Sequence, residues 1–180
     1  MVYILLAPGF EEAEALVPAD LLRRAGIDTA LVALTDELVP GGQGITVKAD
    51  LTLDQVSLEN ASMIVLPGGS RGVANLGDDP RVEALVRAAA ARDLWLAAIC
   101  AAPSLFSRWG LLDGRKAVCY PTWSDRLPGA QFQPEQPLAE DGRFLTGQAA
   151  GASFDFGLKL VATLAGPEKA EEVRRGILYR

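Results

Sequence analysis

Leu94-Trp95-Leu96-Ala97-Ala98-Ile99-Cys100-Ala101-Ala102-Pro103 is the stretch on which the fold turns. Residues 94–99 carry no polar side chain, as expected of a strand covered on both faces; a strand with one wet face would alternate. Pro103 suits the first turn of a helix, so residues 101–109 read as helical. Cys100 falls at the junction, and the alanines on either side leave room for the tight bend of a nucleophile elbow. The uninterrupted apolar run, residues 94–102, is about half of what crosses a bilayer.

The same alternation repeats outward from this stretch. Residues 2–7 form a buried strand run ended by Pro8-Gly9, and residues 10–25 a helix closed by Gly26. Residues 29–34 are a second strand. Residues 35–50 hold a turn-rich excursion around Pro40-Gly41-Gly42, a hairpin ending near Val47. Residues 63–66 are a further apolar strand, followed by the glycine-rich turn Pro67-Gly68-Gly69-Ser70-Arg71-Gly72. Pro80 opens a helix to about Arg92; residues 116–120 read as a strand and 131–146 as irregular strands turning at Asp141-Gly142. Helices near 152–165 and 168–175 close the chain. Strands and helices in alternation imply a mainly parallel sheet covered on both faces, and residues 1–180 read as one α/β domain. In such a sheet a ligand sits beyond the carboxyl ends of the strands. Pro8-Gly9, Pro67-Gly68-Gly69, Cys100 and Tyr120-Pro121 are four such ends, expected on one rim.

Composition narrows the chemistry. The 180 residues are 49% hydrophobic and 22% charged, which excludes a disordered chain or a disulfide-dense mini-protein. A formal charge of −6 argues against nonspecific nucleic-acid binding, which needs a basic surface. The 13 arginines and 4 lysines suggest no particular patch. There is no histidine, so a Ser-His-Asp or Cys-His triad, a His-ligated metal and a His-based pH switch are all excluded within one chain. Two cysteines, Cys100 and Cys119, are too few for a disulfide framework or a cysteine-only zinc site, and residues 1–9, with no basic region and an apolar run broken by Pro8-Gly9, are not expected to be a signal peptide. A cytoplasmic, reducing location is the expectation.

Cys100 and Glu14 are the candidate catalytic pair. A helix N-terminus beside the sulfur would favour thiolate over thiol, whereas a cysteine in a core packs as a small hydrophobe. Cys119, inside a strand run, fits the second description. Glu14 shares a helical face with Val17, Pro18 and Leu21, which should pack on the sheet and bury the carboxyl. Burial and a nearby thiolate would both raise its pKa. Glu11 and Glu12 are explained by the preference of acids for a helix's first turn. Gly68 to Gly72 could present backbone N–H groups as an oxyanion hole, although it lacks the Gly-Lys-Ser/Thr ending of a P-loop.

Together these segments resemble the ThiJ/PfpI superfamily in its parkinsonism-associated branch. The resemblance spans essentially the whole chain and rests on Leu-Ala-Pro-Gly-Phe-Glu-Glu-Ala-Glu (6–14), Pro-Ala-Asp-Leu-Leu-Arg-Arg-Ala-Gly-Ile (18–27), Val-Leu-Pro-Gly-Gly (65–69), Ala-Ala-Ile-Cys-Ala-Ala-Pro (97–103) and Thr-Gly-Gln-Ala-Ala-Gly-Ala-Ser-Phe-Asp-Phe-Gly (146–157). It implies a flavodoxin-like three-layer α/β/α sandwich, of the class I glutamine amidotransferase-like type, and a homodimer. By motif Cys100 matches the oxidation-prone nucleophile, Glu14 the carboxyl that, protonated, hydrogen-bonds that sulfur or its sulfinate, and Gly69 and Ala101 the backbone donors beside it. Gly68, Tyr120 and Gln148 are expected in the pocket. Tyr120 stands where several relatives have histidine, and Ala101 where protease-type members have one, so the peptidase and amidotransferase readings lose their base.

The resemblance implies an enzyme acting on small reactive carbonyls or their early adducts, as a glyoxalase or deglycase, with no cofactor and no metal. Its rival is a redox-responsive chaperone whose Cys100 is oxidised to sulfinate without substrate turnover. The expected partners are a small carbonyl substrate and a second copy of the chain, with neither membrane nor specific nucleic acid.

Overall fold

The computed structural model describes residues 1–180. The apolar runs form β1 (Val2–Leu6), β2 (Thr29–Ala33), β6 (Met63–Leu66) and β7 (Trp95–Ile99). They lie side by side in the order β2-β1-β6-β7, all parallel, with β5 (Leu51–Thr52) beyond β2 and β11 (Phe144–Gly147) beyond β7. Only β10 (Leu138–Asp141), at the far edge, runs antiparallel, hairpinned to β11. All residues of β1, β6 and β11 are buried, which explains why their sequences do not alternate.

Helices cover both faces. α1 (Glu12–Arg24), α5 (Ser153–Ala165) and α6 (Pro167–Gly176) enclose one apolar core with Phe10, Leu21 and Phe156 at its centre. α2 (Ser70–Asp78), α3 (Pro80–Ala91) and α4 (Pro103–Arg108) enclose the other around Leu76, Leu96 and Phe106. The expected three-layer α/β/α arrangement is therefore the observed one. A short hairpin, β3 (Leu38–Pro40) with β4 (Thr46–Lys48), fills the excursion after β2. No helix is long and apolar enough to cross a membrane.

Three local expectations need correction. The glycine-rich run after β6 is not only a turn, because α2 begins at Ser70, directly after Gly69 at φ 86°. Glycine at 72 lets the helix press on the Gly9–Phe10 backbone, where a Cβ would stand 2.7 Å from Phe10 Cα. The strand expected over 116–120 shrinks to β8 (Lys116–Ala117), paired with β9 (Gln131–Phe132) in a ribbon outside the main sheet. Beyond it the chain is held by side chains and single bonds: Val118 N–H donates to Thr146 Oγ1 and Tyr120 N–H to Cys100 O. The strands expected over 131–146 do turn at Asp141-Gly142, and they supply the β10–β11 hairpin of the central sheet. Finally, α4 has six residues and begins at Pro103, three past the cysteine, rather than at Ala101.

Candidate active site

In strand order β2-β1-β6-β7, chain connections leave β1 and β6 in opposite directions, so a crevice opens between their carboxyl ends. Pro8 and Gly9 follow β1, Gly69 to Arg71 follow β6, and Cys100 and Ala101 follow β7. All line one cavity of about 590 Å³, closed by Pro40 to Gln43 and by Tyr120, Thr122 and Trp123. The rim anticipated from the strand ends exists.

Cys100 has φ 64°, the left-handed region that a residue with a side chain enters only under constraint. The constraint is visible on both sides: Cys100 N–H donates to Gly147 O (2.9 Å) and its carbonyl accepts from Tyr120 N–H (2.8 Å). This turn puts a half-buried sulfur at the cavity floor. The backbone N–H groups of Gly69 and Ala101 lie beside the sulfur and favour its charged form.

Glu14 is fully buried, as are Pro18 and Leu21 on its face, while Val17 is half-buried. Its Oε2 accepts from Gly68 N–H at 2.8 Å. Oε1 has no hydrogen-bond partner, and the carboxyl and the Cys100 side chain lie on either side of Gly68, near enough for each to shift the ionisation of the other. Burial pushes the Glu14 pKa up to about 7, against hydrogen bonds from Cys100 and Gly68 that lower it. Burial also pushes the Cys100 thiol up, to about 12, with the charge and hydrogen bonding of Glu14 adding to the rise and the Gly69 and Ala101 amides opposing it. These directions run against a thiolate held by a helix dipole. The helix is too short and starts too late, and desolvation outweighs it. A charged Glu14 favours the protonated form of Cys100. The pair is a thiol beside a base poised near neutrality.

Gly68 lies beneath the cavity rather than in its wall. It separates acid from sulfur so closely that a Cβ there would meet Glu14 Oε2 and stand 2.6 Å from Cys100 Cβ. Gly68→Ala is therefore expected to cost about 1–3 kcal/mol by overpacking, read as a lower urea midpoint, and to slow Cys100 alkylation; an unshifted midpoint would contradict this geometry.

Tyr120 lines the cavity, half exposed at its rim. Gln148 does not. It follows β11, where its N–H donates to Pro137 O and its Nε2 to Pro134 O, both on the β9–β10 connection. Cys119 is buried in the core, its thiol also pushed up to about 12 by desolvation. Sequence reasoning missed Glu12, explained there only by the preference of acids for a helix's first turn. It is 5% exposed, and its Oε1 accepts from the N–H groups of Gln43 (2.8 Å) and Ile45 (3.2 Å), anchoring the loop that closes the cavity. Only that loop's unpaired amides, invisible in a one-dimensional pattern, betray this role.

Residues 1–163 match the family model described as the DJ-1/PfpI family. The chain belongs to that family. It is 34% identical over 177 residues to protein dj-1beta of Drosophila melanogaster, covering 97% of this chain and 95% of that one. The crystal structure of Drosophila melanogaster DJ-1beta superposes with a TM-score of 0.96 at 33% identity, over 99% of this chain and 97% of that chain. A Caenorhabditis elegans protein named glutathione-independent glyoxalase DJR-1.2 is 30% identical over 94% of this chain and 91% of its own length. The structure of oxidized Toxoplasma gondii DJ-1 matches with a TM-score of 0.93 at 32% identity, covering 99% of this chain and 97% of that chain.

Proposed function

We propose that this protein is a cofactor-independent, cysteine-dependent enzyme of carbonyl stress protection that converts α-oxoaldehydes such as methylglyoxal to hydroxy acids. The observation that carries the reading is a thiol and a carboxyl, paired at the floor of a cavity, with the carboxyl's pKa raised to about 7. A base near the operating pH combines availability with driving force. The resemblance to a relative named as a glutathione-independent glyoxalase supports the same reaction.

In this mechanism Glu14 takes the Cys100 proton as sulfur bonds to the aldehyde carbon and passes it to the former carbonyl oxygen, giving a hemithioacetal and leaving Glu14 a carboxylate again. The amides of Gly69 and Ala101 lie beside the sulfur, where they can donate to the developing oxyanion. Glu14 then carries the hydrogen on the former aldehyde carbon, as a proton, to the neighbouring carbonyl carbon through an enediol. The product is a thioester of lactate. Water cleaves it, returning the thiol and releasing lactate. No electrons leave the system, so neither oxidant nor reductant is required.

Lactate formation from methylglyoxal by the reduced protein, with no added glutathione, tests the proposal. A rate no greater than that of a Cys100→Ser control overturns it. A second reading, a redox-responsive chaperone, is favoured by the same amides and acid, which would hold a Cys100 sulfinate formed by peroxide. Protection of a client protein that arises only after oxidation, with no turnover before it, would select that reading. In either case we propose a cytoplasmic homodimer; exposed Leu38 and Ile45 on and beside the β3–β4 hairpin suit a contact between copies.

A further inference from the structure

Thirteen arginines are spread over this acidic chain, and eight of them have a carboxylate within 4 Å. The five without one are Arg71, Arg92, Arg108, Arg126 and Arg180. Three of these five converge. Arg71 lines the cavity of Cys100, its stem packed on Gly9. Arg108 and Arg126 line a second cavity of about 470 Å³, which shares Ser70 and Trp123 with the first. Arg126 is stationed there by an aromatic face and not by an acid, its guanidinium 4.1 Å from the Trp123 ring centre. Two carboxylates, Glu11 in the first cavity and Asp78 in the second, face the same space, and neither forms an ion pair with these arginines. Over the two adjoining cavities lining cations outnumber lining acids three to two, in a protein with 23 acids against 17 bases. The first helical residue of α2, Ser70, stands between them, so that helix dipole adds to the positive end.

Unpaired guanidiniums fixed in a concave site suit a ligand that brings its own anion. We propose that the joined cavities select carbonyl compounds carrying a carboxylate or phosphate, with the carbonyl at Cys100 and the anion on Arg71 or, for a longer molecule, on Arg108 and Arg126. This deepens the carbonyl-enzyme reading and rests on it for the identity of the reacting group. Neutral methylglyoxal would then be a substrate that leaves the arginines unused.

The test uses Cys100 alkylation, which requires no turnover, so a failed enzymatic reading leaves it interpretable. Rates for iodoacetate and iodoacetamide, nearly equal in size and different in charge, are measured at low ionic strength by mass spectrometry of the Cys100 peptide and divided by the same rates for free cysteine. The normalised preference for iodoacetate is expected to fall about fivefold in Arg71→Gln, the size of effect one charge has across a half-screened site. An unchanged preference overturns the inference. Because Arg71, Arg108 and Arg126 are exposed, the variants should fold. Glycerate and glycerol 3-phosphate, tested as protectants against iodoacetamide, separate the two anions. Protection by glycerate lost in Arg71→Gln assigns a carboxylate, and protection by glycerol 3-phosphate lost in Arg108→Gln or Arg126→Gln assigns a phosphate. Protection by neither overturns the proposal.

Discussion

Replacing Glu14 by glutamine should lower kcat/KM for methylglyoxal by about two to four orders of magnitude, the range expected when a positioned acid–base group is removed. Glutamine is nearly the same size and can still accept the Gly68 N–H bond that Glu14 Oε2 accepts at 2.8 Å. What it cannot do is take a proton from sulfur or carry one between carbons. The pH profile separates this from a structural effect. In the wild type the required form is the carboxylate, whose pKa is raised to about 7, so activity should climb through neutrality as that proton leaves. In Glu14→Gln that ascending limb should vanish. Alkylation gives a second, turnover-free reading. The charge of Glu14 is one of the causes that hold the Cys100 thiol high, so its removal should move the ionisation of Cys100 to lower pH. A Glu14→Gln enzyme with wild-type rates and an intact limb would remove Glu14 from the mechanism.

How much of this was legible beforehand follows the distance over which each feature is encoded. Strands β1, β2, β6 and β7 announce themselves, because burial on both faces forces local apolar runs. The elbow at Cys100 is also local, a strand end followed by small residues and a proline. Burial of Glu14 could be read from the helical spacing to Pro18 and Leu21. The ionisation state of Cys100 could not be. It depends on which of two opposed effects is larger, and the contest is decided by packing from β6, β7 and α1 together. Arg71, Arg108 and Arg126 are separated by 37 and 18 residues in the chain, so composition alone suggested no patch. Gln148 misled in the other direction. Its segment is correctly adjacent to the elbow, since Gly147 O accepts from Cys100 N–H, yet the next side chain is drawn away by Pro134 O. Likewise β11 was obscured by its neighbours. Phe144–Gly147 is fully buried in the sheet, but the polar hairpin strand β10 beside it made the whole region read as irregular.

The buried acid should also leave its mark on stability. Unfolded, Glu14 would ionise near its ordinary value of 4.5; folded, it holds its proton until about pH 7. Between those values the unfolded chain releases a proton that the native state keeps, and unfolding gains from every step up in pH. The stabilisation is whole below pH 4.5, declines as pH rises through 7, and is flat beyond. From pH 5 to pH 8 the loss should be about 2 kcal/mol, and for a chain of this length that amounts to about 5 °C in Tm. Glutamine at position 14 has no proton to lose, so Glu14→Gln should be the more stable protein at pH 8 and lose that advantage at pH 5. Cys100 contributes little over this interval, because its own thiol is held well above pH 8. The crossing is the diagnostic. A substitution that merely loosened α1 against the sheet would lower Tm at both pH values, whereas removal of a buried titrating acid must raise it where the acid is charged. Parallel pH dependence in the two proteins would mean that Glu14 ionises in the fold as it does in water, and the base poised beside Cys100 would be lost with it.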